Sequence, residues 1–159
     1  MDDISNKYIK WLNDKEVNQY LETRFQVQDH QSCLEFVKRM QEDANEELFA
    51  IYTVDNNEHI GNCKLGAINK FHHTAEISFF IGSKSFWGAG YATEVVSHLV
   101  KFGFEDLGLE KITAGCYESN KGSKKVLIKA GFEIEGFHKG QVVFGNKREG
   151  TYSLGILKK

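Results

Sequence analysis

Hydrophobic residues recur at helical spacing in two stretches near the start of the chain. Over residues 3–13 the apolar side is Ile4, Tyr8, Ile9, Trp11 and Leu12, and over 29–43 it is Cys33, Phe36, Val37 and Met40. Steps of three and four positions place such residues on one face of a helix. Asp29 is the expected N-cap of the second helix, because its carboxylate can accept a free first-turn N–H. The pattern then shortens. Residues 48–54 predict a strand, the polar residues 55–58 a turn, and residues 59–69 the returning strand. A third strand is expected over 74–82, where alternation puts Glu76, Ser78 and Phe80 on one face. Its end is continuously apolar, as in a strand buried on both faces. Residues 91–104 read as a helix turning Val95, Val96, Leu99, Val100 and Phe102 toward a sheet. A strand over 111–116 follows, then a helix over 121–130 stopped by Gly131. Residues 132–137, 141–144 and 150–157 finish the chain as β-structure. The order αα-βββ-α-β-α-ββ predicts an α/β chain, an α+β mixed sheet with helices packed on it.

Composition narrows the function classes. At 159 residues the chain forms one domain, 1–159, able to bury a core without staples. The net charge of −2 argues against a nucleic acid or anionic membrane partner. Cys33, Cys63 and Cys116 are far apart and odd in number, so reduced thiols are expected and no metal site. No apolar run approaches the ~20 residues of a membrane span, and no secretory pattern precedes the first helix. A cytoplasmic location is the expectation.

The most informative chemistry lies in Trp87-Gly88-Ala89-Gly90-Tyr91-Ala92, between the third strand and the helix after it. Glycines let the backbone approach a ligand, and first-turn amides with the helix dipole favour an anion. Lys121, Lys124 and Lys125 gather nearby in sequence, although three lysines on a short helix are more often a solvated face. Glu76 is an acid in an otherwise apolar strand. His72 and His73 are adjacent, so a strand would send them to opposite faces, and they read as surface turn residues.

The glycine turn, with this element order, resembles the GNAT acetyltransferase family. Its pyrophosphate signature, Gln/Arg-x-x-Gly-x-Gly/Ala, is matched at Gly90 and Ala92, with Trp87 where Gln or Arg is usual. Tryptophan there resembles the RimJ/RimL-like branch. The block running from Asn120 through Ser123, Val126, Leu127 and Lys129 to Gly131-Phe132 is similar to the family's Asn-x-x-Ser-x-x-Val-Leu-x-Lys-x-Gly-Phe. Trp11-Leu12-Asn13-Asp14 matches an opening common in that branch. Family members usually start with one more strand than Met1-Asp2-Asp3-Ile4 leaves room for. A missing strand would expose the edge of the 48–54 strand, to be covered by pairing or by a homodimer.

The resemblance implies an N-acetyltransferase using acetyl-CoA as co-substrate and no metal. Backbone groups around Phe79, Phe80 and Ile81 would hold the pantetheine arm between the third strand and the 111–116 strand, and one amide there would polarise the thioester. The amides of Trp87, Gly88, Ala89, Gly90, Tyr91, Ala92 and Thr93 would take the pyrophosphate. Asn120 and Ser123 would contact the arm, and Lys124 is a candidate for the adenosine phosphates. Amine acetylation needs a neutral nucleophile and a proton for the departing thiolate. Glu76 is the candidate base, acting through water. The family's usual acid, a tyrosine, is replaced by Leu127, which leaves Ser123 or water as proton donor. Acceptor contacts would come from Tyr20, Glu22, Arg24, Phe25 and Phe144. A small amine such as an amino-sugar nucleotide is the expected acceptor, because the Trp-Leu-Asn-Asp opening resembles glycan-pathway members. The rivals are a protein N-terminus, as in ribosomal-protein acetylation, and a non-catalytic acyl-CoA-binding module.

Overall fold

The computed structural model describes residues 4–159, so the expected helix start at Asp3 lies outside the described residues. Helix α1 (Asn6–Asn13) begins after Ser5, whose hydroxyl accepts the Tyr8 N–H at 3.2 Å. Helix α3 (His30–Glu42) is capped reciprocally: Asp29 accepts the Ser32 N–H at 2.8 Å and donates its own N–H to the Ser32 hydroxyl at 2.9 Å. Between them lie two pieces that the periodicity does not reveal, α2 (Lys15–Asn18) and a 3-10 turn (Glu22–Phe25). Four residues barely complete one turn and carry no repeat to detect.

Among the described residues six strands form one sheet in the order β1-β2-β3-β4-β6-β5. They are β1 (Glu47–Tyr52), β2 (His59–Asn69), β3 (Thr74–Ile81), β4 (Lys111–Tyr117), β5 (Glu133–Phe144) and β6 (Lys147–Leu157). Only the β3–β4 pair is parallel, joined by the crossover helix α4 (Tyr91–Glu105); the four other pairs are antiparallel. Two expectations are corrected at the end of the chain. Residues 132–137 and 141–144 are parts of one strand, β5, which continues through register shifts between Ile134 and Gly136 and between His138 and Val142. Gly140, at φ +63, sits in the second of these bulges and reads in sequence as a break. Strand β6 starts at Lys147 rather than Gly150, because the hairpin pairs Phe144 with Lys147 through polar residues that show no alternation.

Helix α4 and helix α5 (Lys121–Lys129) cover one face, where Val96, Leu99, Val100 and Leu127 meet Ile60, Leu65, Ile77, Ile112 and Leu154. On the other face Tyr8, Trp11, Leu12 and Cys33 from α1 and α3 receive Phe80 from β3. Among the described residues no strand lies outside β1, so that edge is open as expected. Among them also, no helix is long and apolar enough to cross a membrane.

The Trp-Leu-Asn-Asp opening is accounted for by packing. Trp11 and Leu12 are buried, and Asn13 clamps the chain entering α3, donating to the Gln28 carbonyl at 2.7 Å and accepting its N–H at 2.9 Å. Asp14 caps α2 and pairs with Lys84 at 2.8 Å, which holds its carboxyl below the usual range. At Gly82 a Cβ would lie 2.1 Å from the Trp11 indole, which is itself wedged edge-on against Phe80 and His59. Gly82→Ala is therefore expected to destabilise the protein by roughly 1–3 kcal/mol, read as a lower midpoint in denaturant titration; an unchanged midpoint would show that this contact is slack.

Candidate active site

The cleft arises where two strands part. Strands β3 and β4 pair at Thr74 with Lys111, Ala75 with Ile112 and Glu76 with Thr113. Beyond that point residues 77–81 pair with β2 alone and residues 114–117 with β6 alone. The Thr113 hydroxyl donates to the Ala75 carbonyl at 3.3 Å, across the last paired rungs. Further out the two facing backbone edges are unpaired, and buried peptide groups left this way require a partner. Phe79, Phe80 and Ile81 line the β3 side of this slot.

The glycine turn closes the slot's outer end. Gly88 and Gly90 both adopt left-handed backbone, at φ +75 and +98, and a Cβ at either would meet nothing within 4 Å. Left-handed glycines with open space beside them let the main chain come close to something outside it, and here they stand at the start of a helix. Gly90 is the N-cap of α4, and its carbonyl takes the Thr93 and Glu94 N–H groups at 2.9 and 3.1 Å. The amides of Tyr91 and Ala92 precede those bonds and leave the helix end pointing outward. Trp87 anchors the turn to β3 by donating its indole N–H to the Ile81 carbonyl at 2.7 Å. These residues fit a diphosphate and an extended polar arm.

On β4's side, Asn120 caps α5 by accepting the Ser123 N–H at 3.0 Å, and Ser123 sits half-buried in the first turn. Lys124 lies with its ammonium 3.6 Å from the centre of the Tyr152 ring, so it is attached to β6 rather than free in solvent. Leu127 is fully buried in the main core. Glu76 is exposed at the apex of the cleft, opposite Thr113, on the face away from α4. His72 and His73 fall in the exposed turn before β3, as expected. All three cysteines are free and buried, and burial pushes the Cys63 thiol up to about 12.

The five expected acceptor residues fall into one group at the mouth of the cleft, on the same face as Glu76. Tyr20 stacks on Phe144 with ring centres 5.2 Å apart, and Arg24 lies 4.2 Å from the Phe25 ring. What joins them is Tyr117, which the sequence reading missed. Its ring meets Tyr20 and Phe144 edge-on at 5.8 and 5.9 Å. Its hydroxyl donates to Glu22 Oε1 at 2.5 Å and accepts from Arg24 Nη2 at 2.8 Å. Burial and the Glu22 carboxylate push the Tyr117 phenol up, with Arg24 opposing. The one sequence signal was alternation: Tyr117 ends β4 on the face opposite Cys116.

Comparison with known proteins gives this geometry a context. Residues 2–133 match the family described as the acetyltransferase (GNAT) domain, a span running from α1 through α5. The chain is 36% identical over 124 residues to a probable N-acetyltransferase, YjcK, of Bacillus subtilis, covering 77% of this chain and 67% of that protein. It is 27% identical over 152 residues to the uncharacterized N-acetyltransferase p20 of Bacillus licheniformis, covering 94% and 85%. The fold is similar, at a TM-score of 0.84 and 20% identity over 94% of this chain and 86% of the other, to spermidine N-acetyltransferase from Vibrio cholerae, solved with CoA and spermine. With a parted strand pair, a glycine turn at a helix start and a family match across both, the chain belongs to the GNAT family of acetyl-CoA-dependent acetyltransferases.

Proposed function

We propose that the enzyme acetylates a primary amine that enters from the Glu76 face, while acetyl-CoA occupies the slot between β3 and β4. The observation that carries this reading is the parting of those strands beside the Gly88–Gly90 turn. Acetyl-CoA supplies an activated acyl carbon when bound. Backbone groups of Phe79, Phe80 and Ile81 hold its arm and provide one N–H for the charge that develops on the acyl oxygen. The amides of residues 88–92 face the diphosphate, while those expected at Trp87 and Thr93 are taken by the Lys84 and Gly90 carbonyls at 3.1 and 2.9 Å. Asn120 and Ser123 border the arm, and Lys124 adds positive charge along α5.

Glu76, acting through water, takes the proton that an ammonium must lose before it can attack. The C–N bond forms as the C–S bond breaks; the thiolate takes one proton, and the nitrogen sheds two in all. Ser123 or water supplies the thiolate's proton, since Leu127 offers none. An amino-sugar nucleotide loses its main support, because Trp11, Leu12, Asn13 and Asp14 are occupied with packing, clamping and capping. The acceptor is proposed as a small primary amine. Peptides in the same assay test the rival, a protein N-terminus.

Two measurements test these roles. Gly90→Leu should weaken acetyl-CoA binding by tenfold or more while costing roughly 1–2 kcal/mol from left-handed strain alone. Gly108→Leu is its control, with φ +65 and the same open surroundings outside the turn; equal acetyl-CoA affinity in both variants would remove the cradle. Glu76→Gln should lower kcat/KM on the order of 10²-fold near neutral pH. That deficit should shrink as pH rises and the amine deprotonates unaided, and a deficit independent of pH would take Glu76 out of the proton path.

A further inference from the structure

At the acceptor mouth the two charges are sorted, one inside and one outside. Arg24 is only 14% exposed. Its Nη1 donates to the Leu21 carbonyl at 2.9 Å, and its Nη2 donates to Tyr117 and, at 3.4 Å, to the Val143 carbonyl. The guanidinium ties the 3-10 turn to β4 and β5, and little of it is left for a ligand. Glu22, by contrast, is 74% exposed. Its Oε1 is fixed by Tyr117 and approached by Arg24 at 3.5 Å, while no described residue bonds its Oε2. An arriving acceptor therefore meets a carboxylate beside aromatic rings, which is a setting for a cation.

A carboxylate in direct contact with the attacking nitrogen, without the intervening water through which Glu76 takes a proton, would hold that nitrogen in its protonated form, and that form cannot attack. The nitrogen that Glu22 holds is then not the nitrogen that is acetylated. We propose that the acceptor carries at least two basic nitrogens, one acetylated in the cleft and the other kept as an ammonium on Glu22, with Tyr117 as the positioning residue. This rests on the acetyl-transfer reading above. In the transfer the reacting nitrogen gains the acyl carbon and gives up its protons as before, and the second nitrogen leaves as it came. With its phenol pushed up, Tyr117 remains an O–H donor at neutral pH and keeps Glu22 aimed.

The test compares propylamine, 1,3-diaminopropane, 1,4-diaminobutane and glucosamine 6-phosphate as acceptors for the full chain. At least one diamine should exceed propylamine in kcat/KM by about tenfold, and the sugar phosphate should be poorest. Glu22→Gln should raise the diamine KM roughly 5–10-fold with little change in kcat, and should change the propylamine KM by a clearly smaller factor. Tyr117→Phe, which keeps the ring, should shift the diamine KM in the same direction by less. Calorimetry of diamine binding in the presence of CoA should show the same weakening without turnover. Equal effects of Glu22→Gln on monoamine and diamine, or diamine binding indifferent to Glu22, would overturn the proposal. Acetylation of none of these amines or of any peptide would instead overturn the transfer reading.

Discussion

Everything at the site depends on there being only three residue pairs between β3 and β4, strands of eight and seven residues. The strands start together and are then drawn to different partners. Phe80, near the end of β3, is packed into the Tyr8–Trp11 cluster on α1. Tyr117, at the end of β4, is packed on Tyr20 and Phe144 and hydrogen-bonded to the Glu22–Phe25 turn. Each outward edge is satisfied, by β2 and by β6, so the sheet survives the separation. What remains is a pair of unpaired backbone edges, and such groups are costly to bury without a partner. The parting is thus an interruption of the sheet and, in the proposed function, the place for an extended polar chain.

Local features of the site were legible in the sequence. The Gly88–Gly90 turn follows an apolar run and opens an amphipathic one, and in the structure it lies between β3 and α4 with both glycines left-handed. Alternation alone put Glu76 and Phe80 on one face, and Asp29 was marked as a cap. The expected acceptor residues were legible only through family resemblance, and for Tyr117, at their centre, alternation along β4 gives its face but not its partners. Tyr117 reaches Arg24 and Glu22 across 93 and 95 positions of sequence, a separation over which no periodicity carries information. Short elements failed for a related reason: α2 and the Glu22–Phe25 turn are set by Asp14 capping and Arg24 bonding, not by a repeat.

The Trp-Leu-Asn-Asp opening shows how a motif can carry structural duties. Its resemblance to glycan-pathway members is what points to an amino-sugar acceptor. Its residues bury an indole, clamp a loop and cap a helix, duties that any acceptor specificity would tolerate. Leu127 teaches the opposite lesson. The position where the resemblance implies a tyrosine holds a fully buried aliphatic, packed in the core shared by α4, α5 and β6. Motif residues therefore divide by burial and bonding rather than by recurrence.

The donor and acceptor sides are also joined mechanically, and two connections compete for that role. Lys84, just before the glycine turn, reaches Asp14 and Glu16 at the start of α2. These side chains are exposed, and ion pairs in water contribute little and weaken with salt. Gly82, two residues earlier, lies against the buried Trp11 indole with no room for a methyl group. Packed cores respond to changes of a single methylene, whereas solvated ions rearrange freely. The indole contact is thus the stiffer link between α1 and the end of β3. The Lys84 pairs, formed over the same gap, add orientation to a junction that packing has already fixed.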